Sequence, residues 1–307
     1  MEPDLKTVIG PLKLKNPVLL ASGTCGYGGE LADLLDLSQL GGIVVKGLSL
    51  EPREGNPPPR VWETPCGLLN SIGLENVGVE AFVRDKLPYL KQLDTAVIAN
   101  ILGNSVAEYA EVASRLSNTE GLDAIEVNIS CPNVKEGGAA FGTDPKMASA
   151  VVEAVKKATH LPVICKLSPN VTDICTIAKA AESAGADAIS LINTLIGMAI
   201  DIEQRRPALA NVIGGLSGPA IRPVAVRMVY QAARAVQIPV IGIGGIVTGN
   251  DALEFLLAGA KAVQVGTATL IRPDAAISVI EGINNYMKRH DMENVEQLHL
   301  DIATSNK

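Results

Sequence analysis

Two spacings of apolar positions alternate along the chain. Short β-branched runs end in polar or glycine-rich loops, and each gives way to a stretch with helical spacing. The runs fall at 18–22, 43–46, 96–100, 124–129, 163–167, 188–193, 240–243 and 262–265, which makes eight. Segments 105–116, 145–159, 173–184, 219–236, 249–257 and 273–288 each carry one apolar stripe and predict amphipathic helices. Asp144-Pro145 and Ser217-Gly218-Pro219 read as helix starts, with proline at an early helical position. Eight strands alternating with helices is the count of a (βα)8 TIM barrel; a doubly wound open sheet is the rival, because periodicity does not register closure. Residues 5–15 alternate about Gly10-Pro11 and predict a hairpin able to cap the barrel's bottom. The proline-rich stretch 51–65 predicts a long inserted loop after the second strand. Nothing resembles a linker, so residues 1–307 are expected to form one domain.

Composition narrows the possibilities. Hydrophobic residues make up 47% but aromatics only 3%, so the apolar content is mainly aliphatic, as parallel strands buried on both faces require. The net charge of -7, with no basic cluster, argues against a nucleic-acid partner. Five cysteines without a CxxC pair argue against a disulfide framework or an iron–sulfur cage built by this chain alone. The start, Met1-Glu2-Pro3-Asp4, lacks the features of a signal peptide, and no apolar run reaches the roughly 18 residues of a membrane span. The expected compartment is a reducing cytoplasm.

In a barrel the strand C-termini face the active site, so the residues there belong together. Gly244-Gly245 ends the seventh run and Gly266-Thr267 the eighth, the positions where barrels commonly hold a phosphate on backbone N–H groups; Gly218 adds to them from the preceding loop. Lys166 lies inside an apolar run and Lys46 ends another. A buried ammonium calls for an electron-rich partner, such as the N1/C2 edge of a flavin. A Schiff-base lysine is the alternative, and a snorkelling side chain is a further reading for Lys46. Asn70, Asn128, Asn133 and Asn193 cluster at or near strand ends. Amides offer donor and acceptor without charge, which suits a planar ligand alternating N–H and C=O groups. Cys131 follows the fourth run, where a modest downward shift would make its thiol a base near neutral pH. The three histidines lie away from every strand end, and no cluster of carboxylates points to a metal. Cys165 and Cys175 read as small buried apolar groups, and Cys66 as a packed small residue.

The run Asn128-Ile129-Ser130-Cys131-Pro132-Asn133, together with Asn70-Ser71-Ile72-Gly73-Leu74-Glu75-Asn76, closely resembles dihydroorotate dehydrogenase. Segments 163–170, 192–198, 215–220 and 241–245 extend the resemblance over nearly the whole chain. It implies a barrel that binds FMN and oxidises dihydroorotate to orotate. Cys131 would take the C5 proton while hydride leaves C6 for the flavin. Lys46, Asn70, Ser71, Ile72, Gly73, Leu74, Asn128, Asn193 and Thr194 would hold the substrate, with Asn133 as an additional contact. Ser22, Lys46, Gly47, Asn100, Asn128, Lys166, Ile192, Gly218, Gly244, Gly245, Gly266 and Thr267 would hold FMN.

The resemblance also points to a branch. Membrane-linked members use a serine base behind an N-terminal membrane-associating extension, whereas this chain has Cys131. Among cysteine members, residues 193–198 and 215–230 look like the NAD-linked type 1B catalytic chain. Its partner is an electron-transfer subunit carrying FAD and a [2Fe-2S] cluster, in a heterotetramer of two catalytic and two electron-transfer chains. The alternatives are the homodimeric, fumarate-reducing type 1A enzyme and, from a different class, a Schiff-base lyase using Lys166 or Lys46.

Overall fold

A computed structural model describes residues 2–130, 135–136 and 139–299. Eight parallel strands close into a barrel: Val18–Leu20, Gly42–Val44, Ala96–Ile101, Ala124–Asn128, Val163–Lys166, Ala188–Leu191, Val240–Ile243 and Ala262–Val265. Closure is explicit, because the eighth strand pairs with the first, Val263 opposite Val18 and Val265 opposite Leu20. This removes the open-sheet alternative.

Strand alternation sorts the apolar side chains into two cores. One parity, including Leu20, Ile43, Val97, Ile125, Val163, Ile189, Val240 and Val263, packs outward with the helical mantle. The other parity gives Leu19, Val44, Ile98, Ala124, Ile164, Ala188, Ile241 and Ala262, one residue from each strand, meeting at the axis. Ile9, Leu12 and Leu14 close this inner layer from below. They belong to the expected N-terminal hairpin, Thr7–Ile9 paired with Leu12–Leu14. The hairpin is amphipathic at period two and buries its apolar face under the barrel.

The helices start where side chains can satisfy free N–H groups. Ser105 caps Val106–Ser117, Asp144 caps Pro145–Ala158 with proline at the first position, and Asp173 caps Ile174–Ser183. Thr248 and Asp251 form a reciprocal capping box on Gly249–Leu257. Pro219 opens a short 3-10 turn, Pro219–Ile221, ahead of the helix Arg222–Ala235.

The sequence reading needs correcting in the insertions. The stretch 51–65 is not all loop: Val61–Thr64 is a strand, paired with Gly67–Asn70. That pair joins Gly214–Ser217 and Leu195–Gly197 from the loop after the sixth barrel strand, making a four-stranded antiparallel sheet. The strands are short and the two central ones meet across about 145 residues, so no local turn signal reveals that pairing. The sheet stands over the C-terminal mouth of the barrel.

One contact in the mantle tolerates almost no added volume. The helices Gly249–Leu257 and Ala275–Arg289 touch through Gly249 and Gly282, and a Cβ on Gly282 would lie 2.7 Å from the Gly249 Cα. Backbone atoms must then separate, so Gly282→Ala is expected to lower stability by about 1–3 kcal/mol, read from the urea midpoint.

Candidate active site

Above the apolar inner layer, the same parity of the strands turns polar. Two residues beyond Ile98, Ala124, Ile164, Ala188 and Ala262 stand Asn100, Glu126, Lys166, Ser190 and Gln264, all buried. Glu126 is fully buried and is the hub. Its Oε1 accepts from Asn100 Nδ2 at 2.7 Å and lies 3.5 Å from Lys166 Nζ. Its Oε2 accepts from Ser190 Oγ and from Gln264 Nε2, both at 2.8 Å. Lys166 Nζ also donates to Ser22 Oγ at 3.2 Å. A buried charge needs a partner and hydrogen bonds, and the lysine expected to seek an electron-rich group has one inside the protein.

Over this floor opens a cavity of about 480 Å³, within the usual range for a small-molecule site. It collects every described residue singled out from the sequence as binding. Ser22, Lys46, Gly47, Asn100 and Lys166 line its base. Asn128, Ile192, Asn193 and Thr194 line one wall, and Asn70, Ser71, Ile72, Gly73 and Leu74 come down from the antiparallel sheet and its loop. Gly218, Gly244, Gly245, Gly266 and Thr267 gather at the end formed by the loops after the sixth, seventh and eighth strands. Cys131 and Asn133 lie outside the described residues.

The asparagines are ordered by one another and by the backbone. Asn128 Oδ1 accepts from Ser130 Oγ at 2.6 Å and from Asn193 Nδ2 at 3.4 Å, and Asn193 Nδ2 also reaches Ser130 Oγ. Asn193 Oδ1 takes the Thr194 N–H at 2.8 Å. Asn70 Nδ2 donates to the Gly215 carbonyl at 3.3 Å, across the sheet. Asn170, a cavity residue not singled out from sequence, braces the turn by donating to the Thr194 carbonyl and accepting from the Ile196 N–H. Ser71 Oγ, in the cavity's lining, is buried with no hydrogen-bond partner among the described residues.

At the glycine end, the backbone conformations exclude most side chains. Gly244 and Gly245 have φ of 130° and 74°, and Gly218 has 90°. A Cβ on Gly245 would sit 2.8 Å from both Arg222 Cβ and the Gly218 carbonyl oxygen. Thr267 Oγ1 donates to Ser217 Oγ at 2.8 Å, tying the eighth-strand loop to the sixth. The result is a concave set of close-lying backbone turns, suited to an anion.

Several residues read differently once placed. Glu126 stands alone among apolar residues in the sequence, so no cluster of acids marks it. The reasoning applied to Lys166, a charge inside an apolar run, would have found it. Cys66 is exposed, not packed, because it occupies the turn between Val61–Thr64 and Gly67–Asn70. Cys175 is half-buried on the helix Ile174–Ser183, its Sγ 3.6 Å from the Gln231 carbonyl. Cys165 is fully buried as expected, and burial pushes its thiol well above the ordinary value. Burial likewise pushes the Cys25 thiol up to about 12. Both are kept as neutral thiols, unsuited to base or nucleophile roles. His160 pairs with Ser117 and His299 with the Leu256 carbonyl, both away from the cavity.

Fold and site together define a class: a closed (βα)8 barrel with a polar cavity at its strand C-termini, roofed by an antiparallel sheet and ending in an anion-sized glycine cradle. The chain belongs to the dihydroorotate dehydrogenase family, whose family model matches residues 4–287. It is 60% identical over 296 residues to a protein of Geobacter sp. (strain M21) named dihydroorotate dehydrogenase B (NAD(+)), catalytic subunit, covering 96% of this chain and 97% of that one. A protein of the same name from Geotalea uraniireducens (strain Rf4) is 57% identical over 297 residues, 97% of each chain. Another, from Thermoanaerobacter sp. (strain X514), is 57% identical over 295 residues, 96% of this chain and 97% of that one.

The cradle geometry gives a direct test. Gly245→Ala must displace either the Arg222 helix or the Gly218 turn, so inorganic phosphate titrated into the protein should bind at least about tenfold more weakly, a change of about 1.4 kcal/mol. Circular dichroism should show the fold retained.

Proposed function

We propose that this chain oxidises (S)-dihydroorotate to orotate in de novo UMP biosynthesis, with Cys131 as base, FMN as hydride acceptor, and a partner subunit passing the electrons to NAD+. The single observation that carries the reading is the convergence of the described family-motif residues on one cavity in a chain 56–60% identical to proteins named for this activity.

The cavity suits FMN on grounds of its own. Gly218, Gly244, Gly245 and Gly266 bring bare backbone to the cavity's lining where a phosphate could accept N–H groups, and Lys166, Asn100 and Ser22 present polar groups held by bonds to Glu126 and to one another. Gly218, Gly244, Gly245, Gly266 and Thr267 would hold the phosphate, and Lys166, with Lys46 and Asn100, the polar edge of the ring. When bound, FMN supplies a two-electron acceptor for the hydride on C6 of the substrate.

The chain's own part is orientation and proton removal. Asn70, Asn128, Asn193 and Thr194 would meet the alternating N–H and C=O groups of the dihydropyrimidine, with Ser71 Oγ free to bond a ligand. Lys46, Ile72, Gly73 and Leu74 complete the substrate's surround, and Ile192 and Gly47 the cofactor's. Cys131, as thiolate, would take the C5 proton; Asn133 would add a further substrate contact. The C5–C6 single bond becomes double as that proton and the C6 hydride leave in opposite roles.

The rival classes fare worse on specific observations. Lys166 sits in an ion pair with Glu126, a setting for a fixed charge and not for an amine nucleophile. Between the two cysteine branches, the NAD(+) named in the relatives favours the type 1B reading over the fumarate-reducing one. Those relatives are named catalytic subunits, which supports a separate partner for this chain. We take it to be an electron-transfer subunit carrying FAD and [2Fe-2S], in a two-plus-two heterotetramer. None of the described helices is long and apolar enough to cross a membrane; we take the compartment to be a reducing cytoplasm. The whole chain, 1–307, would act as one FMN-binding domain.

Replacing the base should separate chemistry from binding. Cys131→Ala is expected to abolish dihydroorotate oxidation while the flavin spectrum and orotate binding persist; near-normal turnover overturns the base assignment. Cys131→Ser should keep a little activity, displaced to higher pH, because a hydroxyl needs stronger activation than a thiol. For the partner, the isolated chain should reduce dyes on addition of dihydroorotate but leave NAD+ untouched. Efficient NAD+ reduction by the chain alone contradicts the two-subunit reading.

A further inference from the structure

Glu126 does not line the cavity, yet three residues that do are arranged by it. Asn100 donates its amide to the carboxylate, Lys166 is ion-paired with it, and Ser22 is reached through Lys166. Ser190 and Gln264 complete its shell from the sixth and eighth strands. Both oxygens accept and every neighbour donates, which is the hydrogen-bonding pattern of an ionised carboxylate. Glu126 and Lys166 are 0% and 5% exposed, so neither charge is screened by water. An apolar residue would fill the interior at less expense, as Ala124 and Ile98 do one layer below. The charge therefore calls for a role beyond packing.

We propose that Glu126 is the positioning residue that sets the electrostatic potential at the cavity's inner end and thereby the reduction potential of the flavin bound there; this rests on the FMN reading above. Reduction of a flavin places negative charge at its N1/C2 edge, and a cation beside that edge favours the reduced form. Lys166 alone would hold the electrons tightly. Glu126, 3.5 Å behind it, offsets that cation and makes the reduced flavin a better donor to the next carrier. It also fixes where the cation stands, because Lys166 Nζ is held between Glu126 and Ser22. The amide of Asn100 is turned the same way, its Nδ2 spent on the carboxylate.

The shell also shows how the charge can be removed with its shape kept. Gln264 Oε1 is buried and has no partner. In Glu126→Gln the new amide can donate to that oxygen after a half-turn of the Gln264 amide, so the contact between the two side chains is kept while the unpartnered end of Gln264 becomes its Nε2.

The test is a set of midpoint potentials measured by dye-linked titration of the whole chain loaded with FMN. Glu126→Gln should shift the flavin to a more positive potential, at least tenfold in the equilibrium between oxidised and reduced forms, or about 30 mV for a two-electron couple. Lys166→Met should shift it negative, and the double variant should return close to the parent value. Glu126→Asp, which keeps the charge, should stay near the parent. If Glu126→Gln weakens FMN binding or stability but leaves the potential unmoved, the residue is structural and the proposal fails. Should Glu126→Gln not fold, the double variant decides, since it removes both buried charges together; a potential equal to that of Lys166→Met alone overturns the proposal. A parent chain that takes up no FMN overturns the flavin reading and this one with it, whereas FMN uptake with unshifted potentials overturns this one only.

Discussion

A carboxylate at 0% exposure must be met by donors from every side, and in this barrel those donors come from other strands. Glu126 draws on the third strand through Asn100, the fifth through Lys166, the sixth through Ser190 and the eighth through Gln264. A one-residue slip of any of these strands would turn its donor outward into the helical mantle and leave the charge unmatched, at several kcal/mol. The network therefore ties strand register to a single group. It stands directly on an inner layer to which every strand contributes one apolar side chain, with the N-terminal hairpin below. The boundary between those layers is where the barrel stops being scaffold and becomes site.

Above the boundary, the cavity is built from loops whose freedom has been removed. The roof is a sheet made from two insertions, and its central pairing sets Gly215 opposite Asn70. Gly215 can carry no side chain there, because a Cβ would strike Thr194 Oγ1. Asn170 pins the turn at Thr194 and Ile196 from the fifth-strand loop. Asn70 and Asn193 thus approach the cavity from different elements, yet each is held by bonds to a neighbour. Rigid amides suit a planar ligand, since little side-chain entropy is lost when it binds.

Much of this was legible in the sequence, for a physical reason. The apolar strands are short, bounded by glycine and asparagine, and the mantle helices have polar outer faces, so both periods are clean. All eight strands and the bottom hairpin lie where the pattern puts them, and strand ends alone gathered the lysines, asparagines and glycines of the cavity. Three things were not legible. Closure depends on Val263 meeting Val18, a pairing across the whole chain. The roof depends on Leu68, Leu69 and Asn70 meeting Gly215, Leu216 and Ser217, and the proline-rich stretch before them reads as loop. Glu126 was hidden because a single acid in Ala124-Ile125-Glu126-Val127 looks incidental until its four partners, far apart in sequence, are seen around it.

The fourth strand joins these features. It carries Glu126 in the floor and Asn128 in the wall, and then runs toward Cys131. Its exit is clamped from both sides. Tyr109 from the mantle helix Val106–Ser117 donates to the Asn128 carbonyl at 2.7 Å, while Ser130 and Asn193 hold the Asn128 side chain from within. The chain returns at Phe141, whose ring meets Tyr109 edge-on at 5.7 Å, and at Gly142, where a Cβ would press on the Ile129 carbonyl at 2.7 Å. Departure and return are thus anchored to the same tyrosine and the same strand end. On the reading proposed above, Cys131, three residues past Asn128 in sequence, would take the proton, and Glu126, two residues before it, would adjust the charge at the electron acceptor. Proton and hydride leave adjacent carbons of one molecule, so their acceptors must be held in a fixed relation. One buried strand, locked in register by its own carboxylate, is a direct way to hold them so.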